Sequence, residues 1–356
     1  MDRFADLLPL FVEEFKLCNL QPGEIVAVLS EPNTKHAYDE LAMGAAAVLG
    51  AEVFRVSVPC LGFRKTPHRA HNAIRGNAQG IPSLVEPSKL RLAVREALLA
   101  ADFIVDLTQE SIGLVEFREE IQAAKKKLLT ISEPPDMLER MFPSAELKAE
   151  VLALRDRFTA ASEVRQTSPW GTDVRYDIAG VNGIAQYGMA DVPGKWDNWP
   201  SGQVNIWPHD GSANGVAVIQ RGCIVFPFKR YVETDVTITV EDGFIRAVEG
   251  GLDADLIRHY LESWEDPEVY AMAHISVGVH PRAQWSALPF YDKNEIVGMD
   301  ARSARGGTLF TTGPNRFVNR MVQPHFDIAC PGWNVYLDDE PVVLDGKLVE
   351  AALTPA

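Results

Sequence analysis

The sequence predicts an α/β N-terminal domain with an open, mainly parallel sheet, followed by a β-rich α+β C-terminal domain. Three observations predict it. Between Glu24 and Ser132, short apolar runs alternate with helical patterns, as in β-α-β units that cross over within a parallel sheet. An amphipathic stretch from Pro143 to Arg165 then bridges to a different composition. After Gln166 the chain becomes a series of β-branched and aromatic segments punctuated by proline and glycine. At 356 residues it exceeds a typical single compact domain, so the expected units are 1–165 and 166–356, each long enough to bury its own core.

The first helix is expected over residues 3–17, where Phe4, Leu7, Leu8, Leu10, Phe11 and Phe15 recur with helical spacing before Gln21-Pro-Gly23 breaks the pattern. Glu24–Ser30 reads as a buried strand, Thr34–Leu49 as an alanine-rich helix and Glu52–Val58 as a second strand. Phe103–Leu107 and Lys127–Ser132 are the next strands, with a helix from Lys89 to Ala100 before them. Ser30-Glu-Pro-Asn33 follows the first strand where a dinucleotide fold would carry its glycine-rich turn, so a dinucleotide is not expected. Cys60–Pro87, rich in Gly, Pro, Asn, His and Arg, reads as a long loop that holds His68 and His71. One helix is expected from Pro143 to Arg165, through Leu147, Val151, Leu154 and Phe158. In the second half, strands are expected at Val174–Ile178, Val204–Trp207, Val216–Ile219, Ile224–Phe226, Val236–Val240 and Phe244–Val248. Asp242-Gly243 marks a hairpin turn, and Asp253–Trp264 a short helix.

Composition excludes several functions. The formal charge of −15 disfavours nucleic acid, whose phosphates need a basic surface, and points to a small-molecule partner. No apolar run approaches the ~18 residues that a membrane span requires. The start, Met1-Asp-Arg-Phe-Ala-Asp6, lacks the basic and apolar regions of a signal peptide, so a soluble cytoplasmic protein is expected. Cys18, Cys60, Cys223 and Cys330 lie far apart with no Cys-X-X-Cys pair, which argues against a zinc knuckle and against a disulfide framework.

The residues with metal-ligand spacing lie between Asp266 and Asp339. His325-Phe-Asp327 places an imidazole and a carboxylate at i and i+2, on one face of a strand. His274, in Met272-Ala-His-Ile-Ser-Val-Gly278, would complete two histidines and one carboxylate, the ligand set that leaves open positions on ferrous iron for substrate and dioxygen. This makes the second unit a metal-binding domain with Fe(II) as its expected cofactor. A His-X-Asp pair by itself arises often by chance, and a lone histidine among apolar residues is more often a hydrogen-bonded core residue. His280, between Gly278 and Pro281, reads as a loop residue, and His209 as part of a turn. His36 and His259 read as solvated helix faces.

Asp266-Pro-Glu-Val-Tyr270, His274-Ile-Ser-Val-Gly278, Pro281-Arg-Ala-Gln-Trp285, Met299-Asp-Ala-Arg302, Thr312-Gly-Pro-Asn315, His325-Phe-Asp327 and Val335-Tyr-Leu-Asp-Asp339 resemble the 2,5-dihydroxypyridine 5,6-dioxygenases. The resemblance extends upstream through Ile131-Ser-Glu-Pro-Pro135, Tyr187-Gly-Met-Ala-Asp191, Trp196-Asp-Asn-Trp-Pro-Ser-Gly202 and Phe226-Pro-Phe-Lys229, so it covers nearly the whole chain. It implies iron ligands at His274, His325 and Asp327, and a superfamily shared with the aminopeptidase S/T metallopeptidases. It also implies a homo-oligomer and a substrate contact at Thr311. The family uses two further histidines around the substrate, one after the third strand and one in Trp-Asp-X-Trp; here Asp106-Leu-Thr-Gln-Glu-Ser-Ile112 has none, and Asn198 stands in the second place. Ser111, Ile112 and Asn198 therefore become the candidate substrate groups, with Arg302 either holding an anionic substrate oxygen or pairing with Asp300.

These readings converge on a non-haem Fe(II) dioxygenase that needs no organic cofactor, with dioxygen and a hydroxylated aromatic or N-heterocyclic ring as partners. The alternative is a metallo-aminopeptidase-like hydrolase; a third reading is an inert binding protein with the same fold. Ser201-Gly-Gln-Val204 resembles a Ser-Gly-Glu-Val stretch that supplies a metal-binding glutamate in the peptidases. The neutral Gln203 implies one metal per chain, since two dications ~4 Å apart repel strongly without that charge.

Overall fold

The computed structural model describes residues 4–59, 92–109, 111–114, 117–293, 295–322 and 324–354. The expected 60–87 loop with His68 and His71, the start of the 89–100 helix, Cys60 and Glu110 lie outside the described residues.

The first half builds a parallel sheet flanked by helices. Among the described residues its strand order runs Glu52–Ser57, Ile25–Ser30, Phe103–Asp106, Lys127–Thr130, Trp196–Asn198. Every pairing in it is parallel. Central strands of this kind are buried on both faces and read as continuous apolar runs, which is why Val26–Leu29 and Phe103–Val105 carry no alternation. The fifth strand comes from beyond residue 166: Thr130 pairs with Asn198 and Leu128 with Trp196. Trp199 continues into the core, its ring 5.1 Å from Phe11 on the first helix, Phe4–Leu17.

The β-rich half forms two antiparallel sheets of eight and seven strands. Val164, Val174, Ala217 and Ile238 of the larger sheet share one hydrophobic cluster with Ile206, Val277, Phe310 and Ile328 of the smaller. Gln166 reaches from one sheet to the other, donating to Thr308 Oγ1 at 2.7 Å and to the Leu309 carbonyl at 3.2 Å. Between Val236–Glu241 and Phe244–Gly250 the expected hairpin turn forms, with Asp242 and Gly243 at φ 50° and 76°. Both positive angles are what a two-residue type I′ turn demands. A helix follows over Leu252–Glu262.

Two helix expectations change. The 143–165 helix ends at Ala160, and Glu163–Thr167 is a strand paired with Asp173–Asp177 and Asn334–Leu337. Ladder hydrogen bonds and the inward Val164 and Gln166 outweigh the helical spacing there. The 34–49 helix begins only at Tyr38, because Thr34 Oγ1 accepts from the Glu31 amide and donates to the Leu107 carbonyl, closing a turn first. His36 is thus on an exposed turn, whereas His259 is on an exposed helix face as expected. No helix among the described residues is long and apolar enough to cross a membrane.

Candidate metal centre

Three adjacent strands of the seven-stranded sheet carry the centre: Met272–Gly278, Thr308–Thr312 and Phe326–Cys330. Antiparallel register sets Thr311 opposite Asp327, and Thr312 opposite Phe326. On the other side the register slips between Met272 and Ile275, a bulge that contains His274. An extra residue in one strand re-aims the side chains around it, and here it turns His274 toward Asp327. Gly313, at φ 118°, lets the chain return beside His325: a Cβ there would lie 2.1 Å from the Pro324 carbonyl oxygen.

The expected triad comes together. His274 Nε2 lies 2.9 Å from His325 Nε2, and these atoms are 3.5 and 3.1 Å from Asp327 Oδ1. Each of the three offers a ligand atom, all within 4.8 Å of one another. Two imidazole nitrogens and a carboxylate oxygen facing inward repel unless a proton or a cation lies between them, so the donor set fits a bound divalent metal.

The surroundings fix which atoms face inward. Ser276 donates its only hydroxyl proton to Asn205 Oδ1 and therefore accepts from His274 Nδ1, 3.0 Å away. That leaves Nε2 as the lone-pair nitrogen. Asn205 and Gln203 both donate to Gln186 Oε1, at 2.9 Å each, so the buried chain runs on through amides. Trp207 covers His274 with ring centroids 4.9 Å apart, and Phe317 packs on Trp207 at 5.5 Å.

Asp327 is held from both sides. Thr311 Oγ1 donates to its Oδ1 at 2.8 Å, while Arg302 Nε and Nη2 donate to Oδ2 at 3.1 and 2.8 Å. Burial pushes the Asp327 carboxyl up, but the charges of His325 and Arg302 outweigh it and keep the group well below the usual carboxylate range. Burial also lowers His274, to about 3, against the attraction of Asp327. The centre is thus charged on the carboxylate and neutral on His274.

Other expected residues fall in different places. Arg302 does not pair with Asp300, which Arg140 takes with two bonds of 2.8 and 2.6 Å. Its guanidinium sits on Asp327 and 3.7 Å from the Phe226 ring centre. Thr311 is fully buried, with its hydroxyl on Asp327. Ser111 and Asn198 gather instead at the carboxyl end of the parallel sheet, where Ser111 Oγ is 2.8 Å from Thr130 Oγ1. Ile112 beside them is a core residue whose amide donates to Asp106 Oδ2. Among the described residues no hydrogen bond, ion pair or ring contact joins this group to the triad. His280 is buried, its Nδ1 accepting from the Arg282 amide. His209 holds the Ala179 carbonyl.

Sequence reasoning missed Ser276 and Glu133. Ser276 follows His274 by two residues, the same period that paired His325 with Asp327. Glu133 lies 164 to 166 residues before its partners, the amides of Val297, Gly298 and Met299 that open the turn carrying Arg302, so no local signal exposes it.

The protonation of the centre gives a testable pH dependence for the metal-free protein. His274 takes a proton near pH ~6.5 when unfolded but only near about 3 when folded. Its stabilising contribution is complete above ~6.5 and is lost as the pH falls toward the folded value. Asp327 adds a second loss below ~3.9, as its depressed carboxyl is titrated. Melting temperatures are expected to fall between about pH 7 and pH 5, and less steeply in His274→Gln. Equal slopes would contradict a buried neutral His274.

A parallel α/β sheet joined to antiparallel sheets that gather two histidines and a carboxylate defines the class: a protein with a 2-His-1-carboxylate group that could hold a cation. Comparison with known proteins places it further. A match to the family described as 2,5-dihydroxypyridine 5,6-dioxygenase spans residues 6–350, and the chain belongs to that family. It is 37% identical to the 2,5-dihydroxypyridine 5,6-dioxygenase of Pseudomonas putida KT2440, over 97% of this chain and 96% of that protein. The solved structure of 2,5-dihydroxypyridine dioxygenase from P. putida KT2440 superposes with a TM-score of 0.89 at 35% identity, covering 97% of each chain. AmpT from Thermus thermophilus shares the fold, with a TM-score of 0.59 at 15% identity over 98% of this chain and 100% of that one.

Proposed function

We propose that this chain is a non-haem Fe(II)-dependent dioxygenase that cleaves the ring of a hydroxylated pyridine or a related aromatic compound. The observation that carries the reading is the inward-facing set of His274 Nε2, His325 Nε2 and Asp327 Oδ1 in a chain that belongs to the 2,5-dihydroxypyridine 5,6-dioxygenase family. Ferrous iron held by these three groups would supply open positions at which a ring hydroxyl and dioxygen meet. Both oxygen atoms enter the substrate: a ring carbon–carbon bond breaks, the hydroxyl-bearing carbon becomes a carboxylate and its neighbour a carbonyl. No external reductant is needed.

The protein supplies position and charge. Arg302 and Thr311 keep the Asp327 carboxylate ionised and fixed, and Ser276 keeps the His274 lone pair on the metal side. Trp207 and Phe317 form an apolar wall beside His274 that a flat ring can stack on and that limits water. Asn198 and Ser111 are the proposed polar contacts of the substrate at the sheet end. Both replace proton-carrying imidazoles with groups that do not titrate near neutrality, so they orient the ring and leave its hydroxyl proton to other groups.

The hydrolase reading receives no support from Gln203, whose Nε2 donates to Gln186 and whose neutral Oε1 carries no charge for a second dication. Anaerobically purified, iron-reconstituted protein is expected to hold one iron per chain and to consume one dioxygen per 2,5-dihydroxypyridine or related ring opened. Full activity with zinc alone, or release of amino acids from peptides without oxygen uptake, would overturn the proposal.

A further inference from the structure

Among the described residues, several buried or half-buried cations have carboxylate partners: Arg302 sits on Asp327, Arg140 on Asp300, Arg320 on Asp210 and Lys127 on Glu24. Arg118 and Arg316 break the pattern. Arg118 is only 9% exposed, and its Nε is fully buried without a hydrogen-bond partner. Its guanidinium lies 4.4 Å from the ring centre of Trp196. Arg316 is half-buried and lies 4.9 Å from the Phe317 ring centre. Among the described residues neither side chain forms an ion pair or a hydrogen bond. Glu119, whose charge reaches both, is exposed and pairs with neither.

The two arginines also act on each other. Burial first, and then the positive charge of Arg316, together lower Arg118 to about 9. Burial lowers Arg316 as well. Two desolvated like charges oppose one another at a cost that only an anion offsets. Each guanidinium lies near an aromatic ring, Trp196 or Phe317, and its N–H groups bond to none of the described residues, which leaves them for a ligand; a carboxylate matches a guanidinium edge with two parallel hydrogen bonds.

The pair also stands in the right place. Trp196 shares its strand face with Asn198, two residues on, and its indole donates to Thr130 Oγ1 at 3.2 Å, next to Ser111. On the other side Phe317 leads through Trp207 to His274. Arg118 and Arg316 therefore lie between the polar end of the parallel sheet and the aromatic wall of the metal centre.

We propose that Arg118 and Arg316 form a carboxylate-binding subsite, so that the ring taken by this chain carries a carboxylate besides its hydroxyl; this rests on the function proposed above. A ring-borne carboxylate is favoured over the one made by ring opening, because the latter forms at the hydroxyl-bearing carbon next to the metal. Arg316 is separated from His274 by two rings, Phe317 and Trp207. Anchoring by ion pairs then supplies the orientation that uncharged Ser111 and Asn198 do not.

The test uses iron-loaded, anaerobic protein and two probes that differ by one carboxylate, 5-hydroxypyridine-3-carboxylate and 3-hydroxypyridine, followed by calorimetry. The carboxylate probe is expected to bind the parent about 10-fold tighter, with the preference reduced to about 3-fold or less in Arg118→Gln and in Arg316→Gln. Iron content and affinity for 3-hydroxypyridine should stay unchanged. If Arg118→Gln fails to fold, the half-buried Arg316→Gln carries the test. Equal affinities for the two probes in the parent, or a preference that survives both substitutions, overturns the subsite. Binding of maleamate that is lost in both variants, with no preference between the rings, also overturns it and assigns the arginines to the ring-opened product. Oxygen uptake with 2,5-dihydroxypyridine separates the two proposals. Turnover without a carboxylate preference removes only the subsite, and an arginine-dependent preference without oxygen uptake on any ring removes only the dioxygenase reading.

Discussion

Replacing Asp327 by alanine is expected to abolish metal binding and to lower turnover by at least ~10³-fold, since the oxygen ligand and its charge go together. The same substitution strands Arg302, whose guanidinium makes its two charge-assisted bonds to this carboxylate from a mostly buried position. An uncompensated buried charge costs ~3–5 kcal/mol, so Asp327→Ala should also be less stable than its parent. Asp327→Asn separates the two effects: the amide oxygen can still accept from Arg302 or Thr311, so the fold should be better preserved while metal is lost. His274→Ala and His325→Ala should lose metal with little change in circular dichroism, because the main core lies in other residues. Elemental analysis and oxygen uptake decide each case. A variant that keeps full iron and full turnover removes its residue from the centre.

The second large effect is expected at Arg302, which holds a ligand rather than the metal. Its fork bonds Asp327 Oδ2 twice, its remaining nitrogen donates to the Val297 carbonyl, and Glu133 fixes the backbone it stands on. Arg302→Met retains length and the contact with Phe226 but removes the charge. Loss of such a partner typically costs ~10–100-fold in metal affinity. The sign on acidity follows from the same pair. Arg302 helps to keep the Asp327 carboxyl low, so without it the carboxyl rises and protons compete with metal at higher pH. Chelator titrations should show the weaker binding, with the half-loading pH moved upward. Arg302→Lys should restore only part of the affinity, because a point charge cannot reproduce the two-bond fork. Parent-like affinity and pH dependence in Arg302→Met would show that Thr311 alone suffices to hold the carboxylate.

Much of the protein is legible in the chain itself. The parallel strands at Ile25–Ser30 and Phe103–Asp106 are uninterrupted apolar runs because both of their faces are buried. Asp242-Gly243 specifies its hairpin because few other residues accept two successive positive φ angles. His325 and Asp327 share a face because strand side chains alternate with period two. These are local rules, set by sterics within a few residues.

Local patterns thus point to most of the element types, to the acidic character and to the three donors. What each donor touches depends on packing between distant segments. The bulge between Met272 and Ile275 aims His274, and it exists only because that strand is registered against Thr308–Thr312. Arg302 stands two residues from Asp300 yet binds Asp327, because Arg140, from 160 residues away in the chain, already holds Asp300. Trp196–Asn198 crosses the expected boundary at residue 165 to complete the parallel sheet, bringing Trp196 under Arg118. Pairings of this kind depend on which surfaces are brought together and desolvated when the chain folds, and no spacing within one segment encodes that.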